Sequence, residues 1–95
     1  MSVRVIVTFK SRPENLATFS ELLRAAKREL PSVAGCEAVD VLTRVDDPHV
    51  FTLVETWRDE ASHQAHVQRL VRDGVWSHIE AHLAAPAESA YYTEL

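Results

Sequence analysis

The spacing of hydrophobic residues changes along this chain, and each change predicts a new element of secondary structure. Over residues 3–9 every second residue is apolar, which is the period of a β-strand. The next apolar residues recur at helical spacing and would form one stripe: Leu16, Phe19, Leu22, Leu23, Ala26 and Leu30. We therefore predict a first strand, Val3–Phe9, and a helix that begins at a capping pair, Ser11 and Glu14, and ends at Pro31.

The middle of the chain predicts an antiparallel hairpin. A loop through Gly35 leads into a β-type run over about Cys36–Val45. The tripeptide Asp46–Pro48 predicts a turn, because proline presets the backbone and aspartate accepts hydrogen bonds from nearby amides. A third strand, His49–Trp57, then follows directly.

Two helical segments and a last strand complete the pattern. Asp59 stands where a carboxylate would cap a helix over about Asp59–Val71. Gly74 breaks that helix, and a shorter helical piece behind it ends at Pro86. The apolar residues of that piece are Trp76, Ile79 and Leu83. Residues Ser89–Leu95 predict a final strand.

The element order β-α-β-β-α-β predicts one α+β domain over residues 1–95 with a ferredoxin-like, four-stranded antiparallel sheet. The helices can cover only one face of such a sheet. Strands one and three nevertheless carry apolar residues on both faces. We therefore expect a homodimer in which a second copy of the chain covers the other sheet face.

Composition narrows the range of partners. The formal net charge is -4, which argues against nucleic-acid binding. No signal peptide precedes the first strand and no apolar run could span a bilayer, so we expect a cytoplasmic protein without a membrane partner. The single cysteine, Cys36, excludes an internal disulfide and has no cationic neighbour that would activate it.

Glu55 and Trp57 lie on one face of the third strand, where a carboxylate is unexpected. Strands buried on both faces seldom carry glutamate unless it has a partner or a function. Glu55 could orient a histidine or a substrate hydroxyl while Trp57 stacks on an aromatic ring. Alternatively, Glu55 could pair with Arg44 or another arginine across the sheet or the dimer interface, with Trp57 packing there.

Four of the five histidines lie between residues 63 and 82. The pair His63 and His66 and the pair His78 and His82 have helical spacing, but the two pairs fall on separate helical pieces. No cysteine or convergent carboxylate accompanies them, so we predict no metal site. His66 is the best candidate for a general base, because imidazole accepts protons near neutral pH. The alternative is that His66 only bonds a backbone carbonyl.

Taken together, these features resemble the antibiotic biosynthesis monooxygenase domain family of the dimeric α+β barrel superfamily. The resemblance spans nearly the whole chain, from the opening alternating strand to the closing strand that contains tyrosine. Its strongest element is Glu55-x-Trp57 followed by a capped helix that contains His66. The other matching residues of this part of the chain are Gly35, Cys36, Phe51, Asp59, Ala61 and Ser62.

The resemblance implies a dimer whose sheets close into a barrel, with a pocket between sheet and helices in each subunit. It also implies oxidation of a phenol, quinol or anthrone by molecular oxygen without a metal, flavin or other cofactor. Haem-degrading relatives use an asparagine on the first strand, whereas the only asparagine here is Asn15 in the first helix. A haem-degrading activity is therefore disfavoured.

Residue types and resemblance together define the predicted site. The predicted catalytic residues are His66, Glu55 and Tyr92. The predicted substrate-binding residues are Trp57, Trp76, Phe51, His63 and Thr8. A non-oxidative isomerase or cyclase-like enzyme and a ligand-binding module are the alternative functions for the same fold.

Overall fold

The computed structural model describes residues 2–95 and contains one four-stranded antiparallel sheet. The elements in chain order are β1 (Val3–Lys10), α1 (Leu16–Glu29), β2 (Cys36–Arg44), β3 (Asp47–Trp57), α2 (Glu60–Arg72), α3 (Val75–Glu80) and β4 (Glu88–Tyr92). Short 3₁₀ turns, Pro13–Asn15 and Leu30–Ser32, flank α1. The strand order is β2-β3-β1-β4, which confirms the predicted ferredoxin-like α+β fold.

The inner face of the sheet forms the core with α1. Alternate residues of β1 and β3 are buried on this face, among them Val5 and Trp57, which are 1% and 0% exposed. Phe19 of α1 packs edge-on against Phe9 and Phe51, with ring centroids 5.5 and 5.4 Å apart. This burial of large apolar side chains stabilises the contact between helix and sheet.

The outer face of the sheet is apolar at its centre and more exposed. Ile6 of β1 pairs with Val54 of β3, and both side chains are half-buried. Leu42 and Tyr92 are 53% and 52% exposed.

Within residues 2–95, no helix is long and apolar enough to cross a membrane.

Ser11 does not cap the first helix, so that prediction is wrong. Its backbone N–H donates to His49 O at 2.8 Å, and the residue forms a bridge with Leu83. Arg12 precedes the 3₁₀ turn instead, and its side chain makes no capping bond. Pairing with distant backbone thus holds Ser11 extended, beyond the reach of local capping chemistry.

The hairpin turn lies earlier than predicted. β2 ends at Arg44 and β3 begins at Asp47, so two residues form the turn and Pro48 lies inside β3. A proline is tolerated here because β1 pairs with β3 only from Val50 onward and the β2–β3 register is irregular at this end. The predicted cap at Asp59 is confirmed, since its carboxylate accepts from the backbone N–H of Ser62 at 2.8 Å.

Gly35 joins the start of β2 to the start of α2. Its φ angle is +90°, and a Cβ there would lie 2.5 Å from Ser62 Cβ. The Gly35 carbonyl also accepts a 2.8 Å hydrogen bond from the backbone N–H of Arg58. The close approach is possible only without a side chain, and it fixes where α2 begins relative to the sheet.

We expect Gly35→Ala to lower the free energy of unfolding by roughly 2–4 kcal/mol, because backbone strain and a steric clash add together. Gly74→Ala is the matched control, since Gly74 has φ +77° but nothing within 4 Å of its Cβ position. Its free energy of unfolding should fall only by the cost of backbone strain, about 1–2 kcal/mol. Urea unfolding measures both variants, and equal losses would contradict the steric role of Gly35.

Candidate active site

A cavity of about 430 Å³ lies between the inner sheet face and the helices. Its volume is within the range of small-molecule pockets. Most of its walls are apolar and come from β1, β3 and all three helices, including Val7, Leu23, Ala26, Leu53, Val67, Leu70, Trp76 and Ile79. The polar side chains that reach it are Glu29, Glu55, His63, His66 and Ser89.

Glu55 is a buried carboxyl, and among residues 2–95 a single group donates a hydrogen bond to it. The side chain is 5% exposed, and Trp57 Nε1 donates to its Oε1 at 2.7 Å. Burial raises the pKa of Glu55, and the Trp57 bond lowers it in part. Arg44 is not its partner, because Arg44 Nε lies 2.6 Å from Asp46 Oδ1. The alternative in which Glu55 pairs with Arg44 is therefore wrong.

His63 and His66 both pack against the same tryptophan, Trp57. Their three-residue spacing on α2 brings both to one helix face. Their ring centroids lie 5.4 and 5.3 Å from that of Trp57. Burial lowers the pKa of both histidines, and the positive charge of Arg69 lowers that of His66 further. Neutral imidazole is thereby favoured, which is the form that can accept a proton.

The two tyrosines of β4 point to opposite faces of the sheet. Tyr91 pairs with Val5 of the inner face, and its hydroxyl lies 2.8 Å from His63 Nδ1. Tyr92 pairs with Arg4 and lies on the outer face. The structure therefore does not bring Tyr92 to this cavity, and Tyr91 is the tyrosine at the site. Alternation indicated that one of the two faces inward, but only pairing with β1 decides which.

Of the remaining predicted residues, Trp76 lines the cavity and the others do not. Trp76 lines the cavity and packs near Phe9, with centroids 6.4 Å apart. Trp57 is fully buried and contacts the cavity residues Glu55, His63 and His66 without lining the cavity itself. Phe51 is on the inner face but packs against Phe19, away from the cavity. Thr8 pairs with Thr52 on the outer face and does not reach it.

The second histidine pair is separate from the cavity. His82 Nδ1 lies 2.8 Å from the carbonyl oxygen of His78, and neither residue lines the cavity. Across residues 2–95, no three or more histidine, cysteine, aspartate or glutamate side chains are grouped so that they could hold a metal ion.

The fold and site define a small ferredoxin-like domain with a largely apolar pocket beside a carboxyl and two histidines. The model of the antibiotic biosynthesis monooxygenase family matches residues 2–84. The chain therefore belongs to this family. No curated protein matches it in sequence.

Solved structures share the fold at low sequence identity. A conserved protein from Methanosarcina mazei is 22% identical with a TM-score of 0.87, covering 100% of this chain and 94% of its own. A protein from Mycobacterium tuberculosis is 21% identical with a TM-score of 0.86, covering 100% and 96%. An antibiotic biosynthesis monooxygenase is 23% identical with a TM-score of 0.83, covering 98% of each chain.

We expect Glu55→Gln to stabilise the protein at pH 8 and to have little effect at pH 4. Burial raises the folded-state pKa of Glu55 above its ordinary value of 4.5, so the folded protein holds this proton more tightly than the unfolded chain. The resulting stability is present below pH 4.5 and is lost as the pH rises through the folded pKa. Glutamine keeps the acceptor for Trp57 but never ionises.

Urea unfolding at both pH values measures this effect. Glu80→Gln is the control, since Glu80 is an exposed glutamate of α3. Equal stability changes at pH 4 and pH 8 in the Glu55 variant would contradict the effect of burial on its pKa.

Proposed function

We propose that the chain is a cofactor-independent monooxygenase that oxidises a small aromatic substrate of the anthrone, phenol or quinol type with molecular oxygen. One observation carries the proposal: the imidazole of His66 and the buried carboxyl of Glu55 line the same largely apolar cavity. Membership in the family supports the reaction class. The apolar walls and the indole of Trp76 favour an aromatic substrate.

His66 is the proposed general base. It lines the cavity, and its ring forms no hydrogen bond within residues 2–95 that would occupy a nitrogen. Burial lowers the pKa of His66 and so favours the neutral imidazole, whose ring nitrogen can take a proton from a phenol or from the carbon of an anthrone-type CH₂ group. Glu55 binds a substrate oxygen through its Oε2, which accepts no bond from Trp57.

The substrate supplies every electron in this reaction. The anion left by deprotonation transfers one electron to O₂, and the resulting radical and superoxide combine to form a carbon–oxygen bond. The peroxide anion that forms takes the proton back from His66 and becomes a hydroperoxide. Loss of water from the hydroperoxide leaves a carbonyl. For an anthrone-type carbon the sum is R₂CH₂ + O₂ → R₂C=O + H₂O, in which O₂ takes four electrons. The protein binds, deprotonates and excludes bulk water.

We also propose that the outer sheet face forms a homodimer. Ile6 and Val54 lie at the centre of this face, and the exposed apolar side chains of Leu42 and Tyr92 extend it. A second copy would cover the patch symmetrically, as two-fold dimers do.

The function is tested by oxygen uptake of metal-stripped protein with anthrones, naphthols and quinols. We expect His66→Ala to reduce turnover by about a hundredfold, the contribution of a positioned general base. His78→Ala is the matched control, because His78 is exposed on α3 and outside the cavity. Equal rates in wild type and His66→Ala would remove His66 from the mechanism.

An anaerobic arm separates the oxygenase from other functions of the fold. Substrate conversion without oxygen would indicate an isomerase or cyclase. Tight ligand binding without any conversion would indicate a binding module. Either result would overturn the monooxygenase proposal.

The dimer is tested by placing a charge at its proposed centre. Val54→Asp should shift the sedimenting species from dimer to monomer, because a buried unpaired carboxylate is unfavourable in an apolar interface. Val71→Asp is the control, since Val71 is 57% exposed on α2 and lies on a helix. A dimer that survives Val54→Asp would place the interface elsewhere.

A further inference from the structure

We propose that His63 donates a hydrogen bond to an oxygen of the substrate, and that Tyr91 is the positioning residue that fixes His63 in the donating tautomer. The inference deepens the proposed function by naming what the substrate must carry: an oxygen acceptor, either a phenolate or a conjugated carbonyl. Tyr91 lies beyond residues 2–84, the span matched by the family model.

The geometry assigns different surroundings to the two ring nitrogens of His63. Nδ1 lies 2.8 Å from the Tyr91 hydroxyl, and the two rings are nearly perpendicular at 89°. Tyr91 does not line the cavity, whereas His63 does. Nε2 is therefore the nitrogen left for a ligand.

Nε2 is also open to such a ligand. It forms no hydrogen bond within residues 2–95. In that range, every fully enclosed side-chain nitrogen or oxygen has a hydrogen-bond partner except Ser11 Oγ. Because Nε2 of His63 has no partner, it is not fully enclosed. Nε2 is thus reachable although His63 as a whole is only 9% exposed.

The direction of the Tyr91 bond follows from acidity and basicity. A phenol is a stronger acid than the N–H of neutral imidazole, and an imidazole nitrogen is a stronger base than a phenolic oxygen. The Tyr91 hydroxyl therefore donates to Nδ1. A neutral imidazole that accepts at Nδ1 carries its proton at Nε2, so His63 offers an N–H donor to the cavity.

Within the described residues, 2–95, His66 has no comparable partner, and the two histidines consequently take different roles. His66 accepts the proton, and His63 holds the oxygen on which negative charge develops. A donor placed in advance at that oxygen stabilises the anion without reorganisation. Trp57 packs against both rings.

The tautomer is measured first, by imidazole ¹⁵N NMR of the ligand-free protein. We expect His63 to be unprotonated at Nδ1 and protonated at Nε2. Tyr91→Phe should convert this single tautomer into a mixture. Tyr92→Phe, which removes the neighbouring hydroxyl on the outer face, should leave it unchanged. A wild-type signal with the proton on Nδ1 would overturn the inference, whatever the protein does with oxygen.

Binding of 1-naphthol, measured under nitrogen, tests the donor role. Tyr91→Phe should weaken binding about three- to tenfold, the usual effect of one hydrogen bond. In a His63→Gln background the amide N–H is a donor in any state, so Tyr91→Phe should have no further effect. An equal additional loss in that background would overturn the positioning role, as would an equal loss in Tyr92→Phe.

These outcomes are distinct from failure of the proposed function. Normal naphthol binding and the expected tautomer, without oxygen uptake by any anthrone, naphthol or quinol, would overturn the oxygenase reaction alone. Oxygen uptake with unaltered kinetics in Tyr91→Phe would instead overturn the role of Tyr91.

Discussion

The arrangement of the cavity depends on the burial of Trp57 at the junction of β3 and α2. Its indole N–H satisfies Glu55 at 2.7 Å, and its ring packs against both His63 and His66. The backbone directly behind it is held by the Asp59 cap and by the close approach to Gly35. The buried indole of Trp57 thus contacts Glu55, His63 and His66, and its position fixes where these three side chains lie.

The same physical cause acts on three ionisable groups of the site, Glu55, His63 and His66. Burial disfavours charge, so it raises the pKa of Glu55 and lowers those of His63 and His66. The cavity consequently favours the uncharged forms of these three residues. Such a site suits the proposed substrate, which becomes an anion only during the proposed reaction, because the groups proposed to receive the proton and bind the oxygen are already in place.

Membership in the family explains the fold of this chain better than it explains the reaction that its side chains could support. Structures about one-fifth identical in sequence superpose with TM-scores near 0.87, because a ferredoxin-like core requires only alternating apolar strands and apolar helix faces. Function resides in the side chains placed on that frame. The side chains proposed for this role are the carboxyl of Glu55, the two histidines of α2 and Tyr91 of β4, and only three of these four lie within the span of the family match.

Local patterns by themselves determined much of this protein. Periodicity defined the order of strands and helices, Asp59 marked the start of α2, and three-residue spacing placed His63 and His66 on one face. Tertiary structure alone decided that Tyr91 rather than Tyr92 faces inward, that Ser11 stays extended, and that Glu55 bonds Trp57 instead of Arg44. The physical reason is that periodicity is a property of neighbouring residues, whereas strand register is set by pairing between segments distant in sequence, and a shift of one residue reverses every side chain.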